Sequence, residues 1–283
     1  MLKANVETFL ECDKKYEEAK IVMFGAPFDS TVSYRPGARF GSSAIRRESY
    51  GIESYSPYQD KDLIDSKVMD SGDIELPFGD SEKALGLINE RSKIILGDNK
   101  LPFMLGGEHL VTLGAFEAAI KLYPNINIIH FDAHADLRDD YLGVKMSHAC
   151  VIRRCWELTG DKRIFQFGIR SCDREESAWG KTHVKTILFD FEGLKDLLDN
   201  IKGKPVYFTL DLDVLDPSIF PGTGTPEPGG VTFEELGEAV RMVCSSANVV
   251  ACDVTELNPH YDPSGVSTIV ACKIVREMLL ALS

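Results

Sequence analysis

The sequence lacks the features that assign a protein to a class most directly. It has 31 Lys and Arg against 44 Asp and Glu, for a formal net charge of −13. Proteins that bind nucleic acids need a basic surface to displace counterions from phosphates, so we expect no nucleic-acid partner. The sequence contains no run of about 18 apolar residues, so we expect no membrane association through a spanning helix.

Cysteine is too scarce and too irregularly spaced for a disulfide framework. The seven cysteines include no CxxC pair, and an odd, scattered set is also a poor zinc site. Several lie in apolar runs, where a reduced cysteine behaves as a small hydrophobic residue. The N-terminal segment is charged and has no apolar core of signal-peptide length. We therefore expect a protein of the reducing cytoplasm.

The sequence does contain a regular alternation of short β-rich runs and longer amphipathic stretches. Runs such as IIHF and VYFTL are almost wholly apolar, which is typical of strands buried on both faces of a parallel sheet. We predict a three-layer α/β/α sandwich with a mostly parallel sheet of about eight strands. No linker divides the chain, so residues 1–283 are predicted to form a single domain. The predicted strands are Lys20–Phe28, Val68–Leu76, Leu101–Leu105, Ile126–Asp132, Arg163–Ile169, Thr186–Asp190, Val206–Asp211 and Val249–Val254.

Three stretches show helical patterns. Ser81–Leu96 has apolar residues at helical spacing, and we expect Ser81 to be its N-cap. Thr232–Val243 begins with TFEE, in which Glu235 completes a predicted capping box. Ser267–Leu282 is a long, apolar helix. Two segments rich in Gly and Pro, 31–41 and 216–230, are predicted to be loops near the site, because α/β proteins place their chemistry at loops after the strands.

Acidic and imidazole side chains follow three of the predicted strands. IIHF is followed by DAHAD, VYFTL by DLD, and LPFML by GGEH. Alternate residues of an extended chain face the same side, so these side chains are expected to converge. Clustered carboxylates repel one another and are costly to bury without a cation. The predicted metal ligands are His109, Asp132, His134, Asp136, Asp211 and Asp213.

Six such ligands suit two oxygen-preferring ions. Carboxylates with some imidazole favour Mn, Mg or Fe over structural Zn. Two ions roughly 3.5–4 Å apart can generate a hydroxide near neutral pH. Asp216 is left out of this set, because Asp before Pro217 favours a turn. His130 lies on the strand itself, and we interpret it as a core or supporting residue.

Several motifs resemble a known family. GGEH, DAHADLRDD, SHA, DLDVLDPSIFPGTGTPEPGG and DVTELNP occur in this order and resemble the signature blocks of the ureohydrolase family, which includes arginase and agmatinase. The segments SYRPGARFG and DAHADLRDDYLG are most similar to the agmatinase branch. The resemblance implies hydrolysis of a small cationic guanidino compound, with two Mn²⁺ per subunit, in a homotrimer or homohexamer. The substrate it implies is agmatine, cleaved to putrescine and urea, a step of polyamine biosynthesis.

The resemblance also implies residue roles. A hydroxide between the two ions would attack the guanidinium carbon. His148 in SHA would relay protons, and Glu256 would orient the guanidinium, so both also bind substrate. With Asp136, these two form the predicted catalytic set. One ion would be held by His109, Asp132, Asp136 and Asp211, and the other by Asp132, His134, Asp211 and Asp213.

Some features leave alternatives open. Glu108 departs from the Asp that the family often has before the histidine of GGEH, and Thr209 stands where many relatives have Ser. Asp139 and Asp140 would either line the entrance or belong to an ordinary charged loop. A substrate with a carboxylate, such as guanidinobutyrate or arginine, would instead use Arg138 or Arg35. A non-catalytic metal-binding homologue is a further alternative.

Overall fold

The computed structural model describes residues 7–283, and its centre is one large sheet. The part of the predicted domain that covers residues 1–6 lies outside the described residues. Strands over the described range are β1 (Ile21–Ala26), β2 (Tyr55–Ser56), β3 (Lys61–Asp62), β4 (Val68–Asp73), β5 (Leu101–Gly106), β6 (Asn127–Phe131), β7 (Ile164–Ile169), β8 (Lys185–Leu188), β9 (Pro205–Asp211) and β10 (Asn248–Thr255).

The large sheet has the strand order β4-β1-β5-β10-β9-β6-β7-β8. All of its pairings are parallel, so the predicted sheet is confirmed, and each predicted strand is present. The antiparallel pair β2 and β3 was not predicted, because strands of two residues leave no periodic pattern to detect.

Helices cover both faces of the sheet, which confirms the three-layer sandwich. None of the helices in residues 7–283 is long and apolar enough to cross a bilayer. The α-helices in this range are α1 (Gly41–Glu48), α2 (Ser81–Gly97), α3 (Val111–Leu122), α4 (Val151–Thr159), α5 (Arg174–His183), α6 (Leu194–Asn200), α7 (Phe233–Ser246) and α8 (Val266–Leu282).

Two helix starts test the capping predictions. The capping box of α7 is confirmed, since Thr232 and Glu235 exchange side-chain and backbone hydrogen bonds. The N-cap predicted at Ser81 is wrong. Asp80 accepts the hydrogen bond from the Lys83 N–H, and Ser81 is the first helical residue. Both residue types favour the N-cap, so composition alone did not distinguish the two positions.

Two hydrophobic cores lie on opposite faces of the sheet. Along β1, Val22 and Phe24 contribute to the core that includes α2 and α3, whereas Ile21 and Met23 contribute to the core that includes α7 and α8. This division follows from the alternation of side chains along a strand. A strand apolar at every position therefore buries both faces, as the continuous runs predicted.

The central strands bring the chemistry together. His109 follows β5, the DAHAD segment follows β6, Asp211 ends β9, and Glu256 follows β10. The sheet places these four strands side by side in the order β5-β10-β9-β6. Because neighbouring strands are about 4.8 Å apart, segments distant in sequence meet at one edge.

Gly107 is the closest backbone contact at this edge. A Cβ atom built on it would lie 2.1 Å from the Phe28 carbonyl oxygen. The same stretch of backbone binds its neighbours directly, since Glu108 N–H donates to Phe28 O and Glu256 N–H donates to Gly107 O at 2.9 Å. Only glycine fits here without moving the backbone that carries His109 and Glu256.

We expect Gly107→Ala to destabilise the protein by about 2 kcal/mol or more, because the clash is with backbone that has no space to move. Urea denaturation measures this as a lower midpoint. Gly86→Ala is the matched control. Gly86 lies in α2, and a Cβ atom added to it would meet no heavy atom within 4 Å, so alanine should stabilise by about 0.5–1 kcal/mol. Equal midpoints for the two variants would contradict this account.

Candidate active site

The structure brings all six predicted ligands together. His109, His134, Asp136 and Asp211 line a cleft of about 250 Å³. Asp132 and Asp213 are buried beside it, at 0% and 1% exposure. The predicted catalytic residues His148 and Glu256 line the same cleft.

His109 provides the test of whether the site suits a cation. Its Nδ1 atom lies 3.0 Å from a carboxylate oxygen of Asp132, 3.1 Å from one of Asp136 and 3.3 Å from one of Asp211. Yet this buried nitrogen makes no hydrogen bond in the part of the chain that the structure describes. One imidazole nitrogen and three carboxylate oxygens that make no hydrogen bond to it form a set of donor atoms suited to a divalent cation. The residues therefore fit a metal.

A second group of ligands adjoins the first. His134 Nδ1 lies 3.0 Å from an oxygen of Asp213 and 3.5 Å from Oδ1 of Asp132. Ligand atoms of Asp132, His134 and Asp213 all lie within 4.8 Å of one another. Asp132 reaches His109 through Oδ2 and His134 through Oδ1, so its carboxylate lies between the two groups.

The electrostatics show an excess of negative charge. Burial and the charge of Asp132 raise the pKa of Asp136 to about 7. Burial, with the charges of Asp213 and Asp132, raises the pKa of Asp211 well above its usual range. Both carboxylates hold their protons more strongly than an exposed Asp does, because like charges out of water disfavour ionisation. A bound cation would favour the ionised forms.

A turn makes the DAHAD side chains converge, so the reason given from the sequence is wrong. Strand β6 ends at Phe131, and Asp132 Oδ1 accepts a hydrogen bond from the His134 N–H at 2.5 Å. Asp136 has a φ of 53°, in the left-handed region that non-glycine residues rarely adopt. This turn is held by tertiary contacts, which leave no two-residue periodicity in the sequence. The sequence pattern therefore did not predict the turn.

A buried polar chain supports His109 from behind. His109 Nε2 lies 2.9 Å from the Thr209 hydroxyl, which donates to Asp253 at 2.6 Å. Tyr207 donates to the other oxygen of Asp253 at 2.5 Å. Because the Thr209 hydrogen is used on Asp253, Nε2 of His109 must carry the proton, which leaves the Nδ1 lone pair for the ligand cluster. Asp253 was not predicted as part of the site.

His130 supports Asp132 in the same way. Gln166 donates to His130 Nδ1 at 3.0 Å, and His130 Nε2 lies 2.8 Å from Asp132 Oδ2. Gln166 Nε2 also donates to the Ala135 carbonyl, which fixes the orientation of the amide. His130 is close enough to His109 and Asp132 to share an ion with them. Its two nitrogens are already used, however, so it occupies a supporting position.

Glu256 is a buried carboxylate beside the ligands. Its Oε1 accepts a hydrogen bond from the His109 N–H at 2.8 Å, and its φ is 64°. Burial, with the charges of Asp213 and Glu108, raises its pKa well above the usual range. Strained backbone at buried polar residues is common in functional sites. This carboxylate is suited to a cationic group brought into the cleft.

His148 lines the same cleft from a different segment of the chain. It begins the turn that leads into α4, and it contacts Thr31 and Ser33 of the Gly/Pro-rich loop 31–41. Burial and the neighbouring His134 lower its pKa to about 4. His148 is therefore a neutral imidazole near neutral pH, with one nitrogen able to accept a proton.

Acidic groups other than the proposed ligands also line the cleft, and for Asp139 and Asp140 the alternative of an ordinary charged loop holds. Asp139 pairs with Arg154 at 2.9 Å, and Asp140 accepts a hydrogen bond within its own loop. Asp173 and Glu176 line the cleft instead. They form the capping box of α5. The pattern DREE, a capping-box signature, would have located this helix start but not its place beside the cleft.

Arg138 and Arg35, the two residues considered as partners for a substrate carboxylate, already contact other side chains of the protein. Arg138 lies 3.4 Å from Glu176 and 3.6 Å from Asp173. Arg35 stacks against Tyr34 and Tyr261. The mouth therefore keeps one more acidic than basic group.

The second predicted loop, 216–230, also borders the site. Thr225 lines the cleft and donates to Asp213 at 3.3 Å. Asp216 accepts hydrogen bonds from the backbone N–H groups of Ser218, Gly229 and Gly230. It is thus the turn residue that its place before Pro217 predicted.

Known proteins share this fold and sequence. The model of the arginase family matches residues 19–281. The agmatinase of Bacillus subtilis is 47% identical, over 97% of this chain and 96% of its own. A solved structure from Clostridium difficile has a TM-score of 0.93 and 49% identity, and covers 95% of this chain and 99% of its own. The agmatine ureohydrolase of Thermoplasma volcanium has a TM-score of 0.89 and 34% identity, with 99% and 95% covered.

The fold, the cluster and these comparisons define the class. The α/β/α sandwich, the Asp and His side chains at the ends of its central strands and the family match together identify a metal-dependent hydrolase. The chain belongs to the arginase family, and the ureohydrolase resemblance found in the sequence is confirmed.

The support behind His109 leads to a test. We expect Thr209→Val to weaken the binding of Mn²⁺ to metal-free protein about 10–100-fold, because His109 loses the partner that fixes its tautomer and orientation. Thr209→Ser keeps the hydroxyl and should bind as the wild type does. Calorimetric titration measures both affinities. Equal affinities for the Val and Ser variants would show that this hydrogen bond does not prepare the site.

Proposed function

We propose that this enzyme hydrolyses agmatine to putrescine and urea. The observation that carries the proposal is the common cleft, in which Glu256 and His148 face the cluster of metal-ligand side chains. The agmatinase of Bacillus subtilis supports the choice of substrate, since it is 47% identical over nearly the whole chain. The product would place the enzyme in polyamine biosynthesis.

We propose two Mn²⁺ per subunit as the cofactor. His109, Asp132, Asp136 and Asp211 would hold one ion, and Asp132, His134, Asp211 and Asp213 the other. The position of Asp132 between His109 and His134 supports its role as a shared ligand. Two bound cations would neutralise the carboxylates and supply a water molecule with a lowered pKa.

Glu256 would bind the guanidinium group. A carboxylate pairs with a planar guanidinium through two parallel hydrogen bonds. The His109 N–H holds Oε1 of Glu256 in place, so the carboxylate is positioned before the substrate arrives. The positive guanidinium would also offset the burial that raises the pKa of Glu256. This pairing places the guanidinium carbon against the cluster, where water attacks it.

His148 would move the proton that the reaction requires. Breaking the bond between the guanidinium carbon and the alkyl nitrogen releases an amine, which must gain a proton. A neutral imidazole near the cluster accepts a proton from the attacking water and returns it to the departing nitrogen. The pKa of about 4 keeps His148 in this accepting form before the reaction.

The acidic mouth supports a substrate with a distant amine. Agmatine carries a primary ammonium at the end away from its guanidinium, whereas guanidinobutyrate carries a carboxylate there. Asp173 and Glu176 border the cleft, and Arg138 neutralises only part of their charge. A cation is favoured beside unbalanced carboxylates, and an anion is repelled.

We also propose a homotrimer or homohexamer in the cytoplasm. The family resemblance supports the assembly. The compartment is supported by the seven cysteines, all within the described residues and all free thiols, which suits a reducing environment. Sedimentation equilibrium would measure the mass of the assembly.

The substrate is tested by urea release from the Mn²⁺-loaded enzyme with agmatine, guanidinobutyrate and arginine in parallel. We expect kcat/KM for agmatine to exceed that for each of the others by about 100-fold or more, because a carboxylate near the acidic mouth is repelled. Elemental analysis of the same sample should find two ions per subunit. Preference for guanidinobutyrate or arginine would reassign the substrate. Metal binding without urea release from any of the three would favour a non-catalytic homologue.

Glu256→Gln separates substrate binding from metal binding. We expect kcat/KM for agmatine to fall by about 100-fold or more, because the amide no longer pairs with and positions the guanidinium. The metal content should stay at the wild-type value, since Glu256 is not among the proposed ligands. Unchanged activity would remove Glu256 from substrate binding, and loss of metal would move it into the ligand set.

A further inference from the structure

Glu108 is a buried carboxylate that the proposed mechanism does not use. It is 0% exposed and stands where the family often has Asp. Within the described residues, its carboxylate accepts hydrogen bonds from Thr31, whose N–H donates to Oε2 at 2.8 Å and whose hydroxyl donates to Oε1 at 2.6 Å. Burying a carboxylate is costly unless its partners compensate. The buried Glu108 carboxylate is therefore expected to have a role that depends on its hydrogen bonds to Thr31.

The Thr31 hydroxyl connects Glu108 to His148. It accepts a hydrogen bond from the His148 backbone N–H at 3.1 Å, and it lies 3.3 Å from His148 Nδ1. A hydroxyl has one hydrogen and two lone pairs. Since the hydrogen is donated to Glu108, both lone pairs are left to accept from His148. The Nδ1 atom must then carry the imidazole proton.

The other nitrogen of His148 is left with its lone pair. Nε2 lies 3.5 Å from the hydroxyl of Ser33, and both residues line the cleft. The ring of Tyr141 contacts the imidazole edge-on, with centroids 5.9 Å apart. In a neutral imidazole, the tautomer decides which nitrogen accepts a proton.

We infer that Glu108 is a positioning residue that acts through Thr31 to hold His148 with its proton on Nδ1 and its accepting Nε2 towards the cleft. This inference rests on the proposed function, in which His148 transfers a proton to the departing nitrogen. Without the hydrogen bond to Glu108, the Thr31 hydroxyl could donate to Nδ1 and favour the opposite tautomer. This role requires a side chain at position 108 that is long enough to reach loop 31–41. Glu is one methylene longer than Asp.

Thr31→Val is the central test, because it keeps the shape of the side chain and removes the hydroxyl. We expect kcat for agmatine to fall about 10–100-fold, with KM changed less than about threefold, since proton transfer is impaired and binding is not. Thr31→Ser retains the hydroxyl and should restore kcat to within about threefold of the wild type. Metal content should be equal in all of these proteins.

Thr223→Val is the matched control. The Thr223 hydroxyl is buried and has no hydrogen-bond partner among residues 7–283, so the same substitution there removes no bond. We expect its kcat to equal that of the wild type. A fall as large as that of Thr31→Val would mean that Thr→Val changes in these two loops lower activity in general, and would overturn the inference.

A double-mutant cycle tests whether Thr31 acts through His148. In a His148→Asn background, Thr31→Val should lower kcat no further, because the group that it positions is gone. A purely structural role for Thr31 would lower kcat by the same factor in both backgrounds, which would overturn the inference while the proposed function stands. Failure of the wild type to release urea from any guanidino compound would overturn the proposed function, and the inference with it.

Discussion

The repulsion between buried carboxylates is the constraint on which the rest of the structure depends. Asp132, Asp211 and Asp213 are almost inaccessible to water, yet they lie at the ends of adjacent strands and cannot move apart. The raised pKa values of Asp136 and Asp211 express that cost directly. A cluster of this kind is stable when positive charge lies within it. A bound cation would thus stabilise the buried carboxylates of the site, in addition to any part that it has in catalysis.

Close backbone packing, unusual backbone angles and buried hydrogen bonds hold the side chains of this cluster in position. Gly107 packs against Phe28, and its carbonyl accepts the Glu256 N–H. Asp136 and Glu256 both have positive φ, a conformation that persists only when the surroundings enforce it. The chain Thr209–Asp253 then orients His109. Gly107 is distant in sequence from Glu256, and Thr209 and Asp253 are distant from His109, and the parallel sheet brings these segments to one edge.

Charge also favours the proposed cationic substrate. The whole chain carries a net charge of −13, and Asp173, Glu176 and Glu256 all line the cleft. Successive acidic groups of this kind attract a cationic substrate and repel an anionic one. Arg138 also lines the cleft, and it lies 3.6 Å from Asp173 and 3.4 Å from Glu176. Two acidic residues and one basic residue thus leave this part of the cleft with a net negative charge.

The sequence by itself determined the eight strands of the large sheet and the six side chains proposed as metal ligands, because both are local patterns. Continuous apolar runs identify strands buried on both faces, and acidic residues that directly follow them must meet at one edge of a parallel sheet. Only the tertiary structure decided that Asp173 and Glu176, rather than Asp139 and Asp140, border the cleft, and that a left-handed turn at Asp136 makes the DAHAD side chains converge. It also decided the contacts of Thr31, which lies 77 residues from Glu108 and 117 from His148. Periodicity and propensity act over a few residues, whereas contacts at such separations exist only once the sheet and its loops have folded.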